Sequence, residues 1–185
     1  MASVVETSNR ALQKLGASRI TSLSDDSKNA RACSACYTRI RDAMLRRHQW
    51  NFAIARAELA ASTTAPAFGP ANAYPLPADF LRLLPNNREC DWQIEGDTIV
   101  TNDNAPLKIR YVRRVEDANQ FDILFDEALS CNMALEMCEE LTQSDTKATR
   151  IKDDLKTAMA EAKRINAFES NSAEPPEDGW LLARY

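Results

Sequence analysis

Four of the five cysteines lie where thiolates can bind a metal or exchange a disulfide. Cys33 and Cys36 are three residues apart on one predicted helix, and Cys131 and Cys138 are seven apart on another. The spacing of seven between Cys131 and Cys138 is wider than in typical four-thiolate zinc sites, and thioredoxin-type pairs accompany a βαβ pattern. Since both pairs fall on apolar helix faces, we interpret them as buried, reduced thiols. We predict no metal and no cofactor.

Catalytic side chains are few. His48 is the single histidine, so any Ser/His/Asp or Cys/His apparatus depends on it, and its position at a predicted helix end is typical of a structural cation. The densest carboxylate cluster is Glu136, Glu139 and Glu140. Carboxylate pairs cleave glycosidic bonds, but on one helix face they are typical of a solvated surface. We predict that the protein is not an enzyme, with a cell-wall glycosidase as the alternative.

Arginines that can contact phosphate occur in two groups, without interleaved aromatic residues or a nucleic-acid motif. They are Arg39, Arg41, Arg46, Arg47, Arg110, Arg113 and Arg114. The net charge of −4 further disfavours sequence-specific DNA binding. Residues 1–60 contain ten Lys/Arg and five Asp/Glu, whereas residues 115–185 contain seven and sixteen. These opposite charges can pair within one fold or between neighbouring copies. We predict head-to-tail association of copies through them.

The helix predicted over Ser27–Arg47 organises the elements that position these side chains. Its apolar residues recur every three or four positions and must face other helices. They are Ala30, Cys33, Tyr37, Ile40 and Met44. From Trp50 the pattern alternates, which predicts a strand through Leu59. An earlier helix begins near Val4 and ends at Gly16.

The middle of the chain is predicted to be rich in β-structure. Residues 61–79 contain four prolines and a glycine, which predict a long extended loop. Its Phe68, Tyr74 and Leu76 must be buried on something. A short strand or helical turn at 80–84, a hairpin about Gly96 and a strand from Leu107 follow, as a small meander of three to five strands.

Two further helices are predicted after residue 121, so the fold class is α+β. Their inward-facing residues are Leu124, Phe125, Ala128, Leu129, Cys131, Met133, Leu135 and Cys138, then Ala148, Ile151, Leu155, Ala158, Ala162 and Ile165. We predict a four-helix bundle with an inserted small antiparallel β subdomain and an extended C-terminal arm. The bundle comprises residues 1–49 and 115–169, the insert 50–114 and the arm 170–185.

No apolar run is long enough to span a bilayer, and the first residues do not resemble a signal peptide. We therefore expect no membrane association and a protein that matures in the cytoplasm.

Five stretches, in this order and spacing, resemble short-tailed phage head-to-tail adaptors of the tail tubular protein A family, which are related to tail accessory and head-completion proteins. They are Ala11-Leu12-x-x-Leu15-Gly16-Ala17, Ser22-Leu23-x-Asp25-Asp26-Ser27-Lys28-x-Ala30, Arg41-Asp42-Ala43-Met44-Leu45-Arg46-x-His48-x-Trp50-x-Phe52-Ala53, Phe68-Gly69-x-x-x-Ala73-Tyr74-x-Leu76-Pro77-Ala78-Asp79-x-Leu81-Arg82 and Trp180-Leu181-x-Ala183-Arg184. Pro70 departs from the family pattern, which has an aromatic residue after Phe-Gly.

The resemblance implies a structural protein of the virion tail, assembled in the host cytoplasm. It implies a ring of twelve subunits between the portal protein and the tail nozzle, tail tubular protein B, with a channel through which DNA passes without sequence-specific binding. An apolar cluster beyond a proline-containing spacer is typical of a docking anchor. We therefore predict that the C-terminal arm binds a partner through Trp180, Leu181, Leu182 and Tyr185. In the loop over residues 61–79, we predict Phe68 and Tyr74 as further partner-binding residues. A cytoplasmic interaction module without a virion role remains an alternative.

Overall fold

The computed structural model describes residues 3–85 and 91–169, and within them the fold is α+β, as predicted. The helices are α1 (Val4–Leu15), α2 (Lys28–Arg47), α3 (Ile123–Thr142) and α4 (Asp145–Phe168). The strands are β1 (Ile54–Leu59), β2 (Asn72–Pro75), β3 (Phe80–Leu84), β4 (Trp92–Glu95), β5 (Thr98–Thr101) and β6 (Leu107–Arg113). None of the helices in this part of the chain is both long and apolar enough to cross a membrane.

The helix ends form where the local sequence predicts them. The Ser27 hydroxyl accepts a hydrogen bond from the backbone N–H of Ala30 at 3.1 Å, which satisfies a donor at the start of α2. Ser144 is the corresponding cap of α4. Gly16 ends α1 with φ of 72°, a left-handed conformation that glycine adopts without steric cost. The boundaries predicted at Ser27 and Gly16 are confirmed.

Helix α3 is the centre of the helical part, because α1, α2 and α4 each pack against it. Its side chains Phe125, Leu129 and Met133 are completely buried. Along α4, in contrast, Ile151 and Ala162 are the buried residues. Other residues of its predicted inward face are partly buried, so α4 lies against α3 along one narrow face.

Two three-stranded antiparallel sheets form between α2 and α3, where the sequence predicted one small meander. The first sheet has the strand order β1-β6-β3, and the second has the order β2-β5-β4. The hairpin of β4 and β5 turns at Gly96, whose φ is 60°, as predicted. The prediction of one meander was wrong because β6, the last strand in the chain, pairs with both β1 and β3.

Strand β6 contributes buried residues to both faces of the first sheet. On one side, Val112 joins the apolar cluster of the helices. On the other side, Ile109 and Tyr111 join a second cluster with Tyr74 and Ile99, which come from the second sheet. The first sheet is therefore a middle layer between the helices and the second sheet.

Two predicted boundaries in this region were wrong. The strand predicted from Trp50 begins at Ile54, because the Trp50 indole N–H donates to the carbonyl of Met44 at 3.0 Å and holds the chain near the end of α2. A short 3-10 turn intervenes. The loop predicted over residues 61–79 contains β2, which ends at Pro75 on the edge of the second sheet, where a missing N–H is tolerated.

Candidate functional site

An exposed loop precedes β2 and presents a single large aromatic side chain. Phe68 is 89% exposed, so its own chain does not bury it. The base of the loop is fixed, since the Ser62 N–H donates to the Ala73 carbonyl at 2.7 Å. The Ala71 N–H donates to the side-chain oxygen of Asn102 at 2.9 Å. Phe68 is therefore accessible to a partner from a loop that is anchored at both ends.

Tyr74 does not lie on the same surface, although both residues were predicted to bind a partner. Its side chain is 0% exposed, and its hydroxyl donates to the carbonyl of Asp103 at 2.8 Å. Burial, followed by the charge of Asp103, raises the pKa of Tyr74. Because it lies opposite Ile99 in the sheet and faces the cluster between the two sheets, it supports the fold. Tyr74 is therefore not presented on the surface of this chain, and its contact with a partner stays a prediction.

The remaining predicted partner-binding residues lie outside the described residues. They are Trp180, Leu181, Leu182 and Tyr185.

A second exposed apolar pair, which the sequence analysis missed, lies at one end of the α3–α4 hairpin. Ile123 begins α3 and is 77% exposed, and Phe168 ends α4 and is 78% exposed. Because two residues connect these antiparallel helices, the start of α3 and the end of α4 lie at the same end of the hairpin. The sequence did contain a signal for their exposure, because both apolar residues fall outside the predicted inward-facing pattern of their helices.

The end of α4 is tied to the chain segment that leaves α2. The Asn166 side chain accepts a hydrogen bond from the Asn51 N–H and donates one to the Gln49 carbonyl, both at 2.8 Å. The Asn51 side chain also donates to the Asn166 carbonyl at 2.9 Å. These contacts fix the helix end that carries Phe168.

The cysteines have the environment of structural thiols. Cys33, Cys36, Cys131 and Cys138 are buried and free. Burial raises the pKa of Cys36 to about 12, which suppresses the reactive thiolate. Within residues 3–85 and 91–169, no group of three or more His, Cys, Asp or Glu side chains is arranged to hold a metal ion.

The carboxylate cluster considered for glycoside cleavage lies on the exposed side of α3. Glu136, Glu139 and Glu140 are all exposed. Glu136 forms an ion pair with Arg39 of α2. The cluster therefore lies on a solvated helix face, from which Glu136 binds the neighbouring helix.

Opposite charges from the two ends of the sequence pair within the chain. Glu127 of α3 contacts Arg10 at 2.5 Å and Lys14 at 2.6 Å, both from α1. Partial burial opposes ionisation of Glu127, but the hydrogen bond from Lys14 and the two positive charges outweigh it, and the pKa is lowered. The ion pair of Arg39 with Glu136 has the same pattern. These ion pairs use part of the charge asymmetry to join α1 and α2 to α3, and the charge-driven contact between copies stays a prediction.

No family model matches this sequence, and a search of curated proteins finds no significant match.

Proposed function

We propose that the protein is a structural subunit of a phage tail, a head-to-tail adaptor that forms a ring between the portal protein and the tail nozzle. The ring has about twelve copies and leaves a channel through which DNA passes. It belongs to the virion tail and assembles in the host cytoplasm. This proposal rests on the ordered resemblance to short-tailed phage adaptors and on one structural observation, the exposed Phe68 on its anchored loop.

Phe68 supports an adaptor because aromatic residues, Phe included, are enriched at the centres of protein interfaces relative to the rest of the surface. The exposed pair Ile123 and Phe168 offers a second apolar surface on the helical part of the chain. A protein that joins two different partners needs two such surfaces.

The proposal includes a finer architecture than the α+β class. In it, the four helices form a bundle from residues 1–49 and 115–169, and residues 50–114 are an inserted β subdomain. The packing of three helices on α3 and the position of all six strands between α2 and α3 support this division. Residues 170–185 are proposed to be an arm that docks on the portal through Trp180.

The first test is the particle mass of the full chain, measured by mass photometry alone and mixed with portal protein encoded by the same genome. A ring of twelve 20.7-kDa subunits has a mass of about 250 kDa, and it should add to the portal as one step. A chain that stays monomeric at all concentrations and also ignores the portal would refute the adaptor role.

Matched Phe→Ala substitutions then separate the two surfaces. We expect Phe68→Ala and Phe168→Ala to leave the melting temperature nearly unchanged, since both side chains are exposed. One variant should lose binding to one partner, the portal or the nozzle. The other variant should keep that binding and lose a contact with the other partner. If both variants assemble with both partners as the wild type does, neither surface is an interface.

Deletion of residues 171–185 tests the arm. Both apolar clusters of the described chain consist of residues before 163, so we expect the melting temperature to change little while attachment to the portal is lost. A truncated chain that melts earlier but still binds the portal would place these residues in the fold instead.

A further inference from the structure

The loop that carries Phe68 lies in a stretch of sequence without charged residues. No Asp, Glu, Lys or Arg occurs between Glu58 and Asp79, although charged residues make up 27% of the chain. Most side chains of residues 60–71 are nevertheless exposed. Charged side chains belong mostly on protein surfaces. Their absence from this exposed loop therefore suits contact with something other than water.

The tip of this loop, residues 65–70, also has few polar groups in its backbone. Pro66 and Pro70 lack an N–H. Within the described residues, no hydrogen bond reaches the backbone of the tip. Burying a polar group without a partner costs free energy, and burying a charge costs far more. The tip can therefore leave water at a lower cost than a loop that carries charges.

The conformation of the tip is set by its own residues and by its base. Gly69 has φ of 87°, a left-handed conformation that residues with a side chain rarely adopt. The two prolines restrict φ on either side of Phe68. At the base, the Asn72 side chain donates to the carbonyl of Asp103 at 2.9 Å. Phe68 is thus presented by a restrained segment, which lowers the entropy cost of binding.

We propose that the tip enters an uncharged, apolar pocket of a protein partner, with the Phe68 ring buried at the centre of the contact. The inference rests on the proposed adaptor function and specifies the chemistry of the contact that Phe68 makes. Gly69 is a positioning residue in this contact, since it sets the direction of the ring through the backbone.

A protein pocket fits this tip better than nucleic acid or a membrane does. Nucleic-acid backbones are bound mainly by Lys and Arg, and the stretch between Glu58 and Asp79 has neither. One myristoyl chain gives only marginal membrane binding, and a single phenyl ring is smaller. The centres of protein interfaces, in contrast, are depleted of charged residues and enriched in aromatic ones. The tip has that composition.

The test is biolayer interferometry of the full chain against the portal protein and the tail nozzle protein encoded by the same genome, at low salt. Burying a phenylalanine side chain strengthens binding by about 10- to 100-fold, so Phe68→Ala should weaken binding to one of the two proteins by at least about tenfold. Phe68→Lys and Phe68→Glu should weaken it further, and equally within about threefold, because an uncharged pocket favours neither charge. A difference of more than about tenfold between these two variants would reveal a charged pocket and overturn the proposal.

Thr63→Lys is the matched control for the added charge, since Thr63 is an exposed residue of the same loop outside the tip. It should bind like the wild type. A loss equal to that of Phe68→Lys would show that the charge of the loop decides binding, and it would overturn the role of the ring.

Gly69→Ala tests the positioning of the ring. A left-handed alanine is disfavoured, so the variant should bind about 5- to 30-fold more weakly. Its melting temperature should be nearly unchanged, because a Cβ at Gly69 meets no atom within 4 Å. Wild-type affinity in this variant would contradict the proposal that the backbone at Gly69 positions Phe68.

Failure of this inference and failure of the adaptor role give different results. If the wild type forms the ring and binds both proteins, and Phe68→Ala binds both with the same affinity, the inference alone is refuted. If the wild type binds neither protein, the adaptor role is refuted and the inference with it. Flotation with vesicles of phosphatidylcholine and phosphatidylglycerol covers the remaining case. If the wild type floats and Phe68→Ala does not, the tip enters a membrane and the proposal is overturned.

Discussion

Replacing Leu129 with Ala should destabilise the protein much more than replacing Leu155 with Ala. Both residues were predicted to lie on the inward faces of their helices. Leu129 lies on α3 with 0% exposure, and Leu155 on α4 is only partly buried. The substitution removes three carbon groups, worth about 2.4 kcal/mol at about 0.8 kcal/mol each. A residual cavity at Leu129 adds to this, which gives about 3–4 kcal/mol. For Leu155 we expect about 1–2 kcal/mol, because water or small shifts can fill the space.

Urea denaturation followed by tryptophan fluorescence measures both free energies of unfolding, with circular dichroism as a second probe of two-state behaviour. The two variants control for each other, since the chemical change is identical and only the helix differs. Equal losses would refute the reasoning that α3 is the central helix. They would instead indicate that α4 is buried as deeply as α3.

Three further predictions follow from individual contacts. Burial raises the pKa of Asp126, so the stability that this group contributes is complete below about pH 4 and is lost as the pH rises through the raised folded value. Asp126→Asn should therefore gain stability relative to the wild type from about pH 4 to 7 in urea titrations, and a difference independent of pH would contradict this. Asn166→Ala should cost about 1–3 kcal/mol by the same assay, because the N–H of Asn51 and the carbonyl of Gln49 lose their partner; an unchanged midpoint would show that water replaces the amide. Phe68→Ala should change the free energy of unfolding by less than about 0.5 kcal/mol, since the ring is 89% exposed; a larger loss would place the ring in the core.

The helices and their ends could be predicted because their signals are local. Ser27, Gly16 and Ser144 act on backbone groups within a few residues, and three-or-four spacing shows which face turns inward. Spacing does not show how deeply a face is buried, however. Leu135 and Leu155 fit their helical patterns as well as Leu129 does, yet only Leu129 is completely buried.

The sheets and the partner surfaces depend on contacts between distant segments. The pairing of β6 with both β1 and β3 has no local signal, and Val112 is buried because helices cover it. Phe68 and Tyr74 are aromatic residues six positions apart in one proline-containing segment, but one is exposed and the other is buried. Only the pairing of β2 with β5 distinguishes them.

The central position of α3 has a consequence for biosynthesis. Helices α1 and α2 leave the ribosome first, yet the surface that covers their apolar faces is not made until α3 emerges. Contacts such as that of Thr7 with Asp126 join residues 119 positions apart. The 75 residues between Arg47 and Ile123 take about 4–15 s to translate at about 5–20 residues per second. During that interval the nascent chain carries two amphipathic helices whose partner helix has not yet been made. We therefore expect its folded yield in cells to rise with chaperones that bind exposed apolar segments.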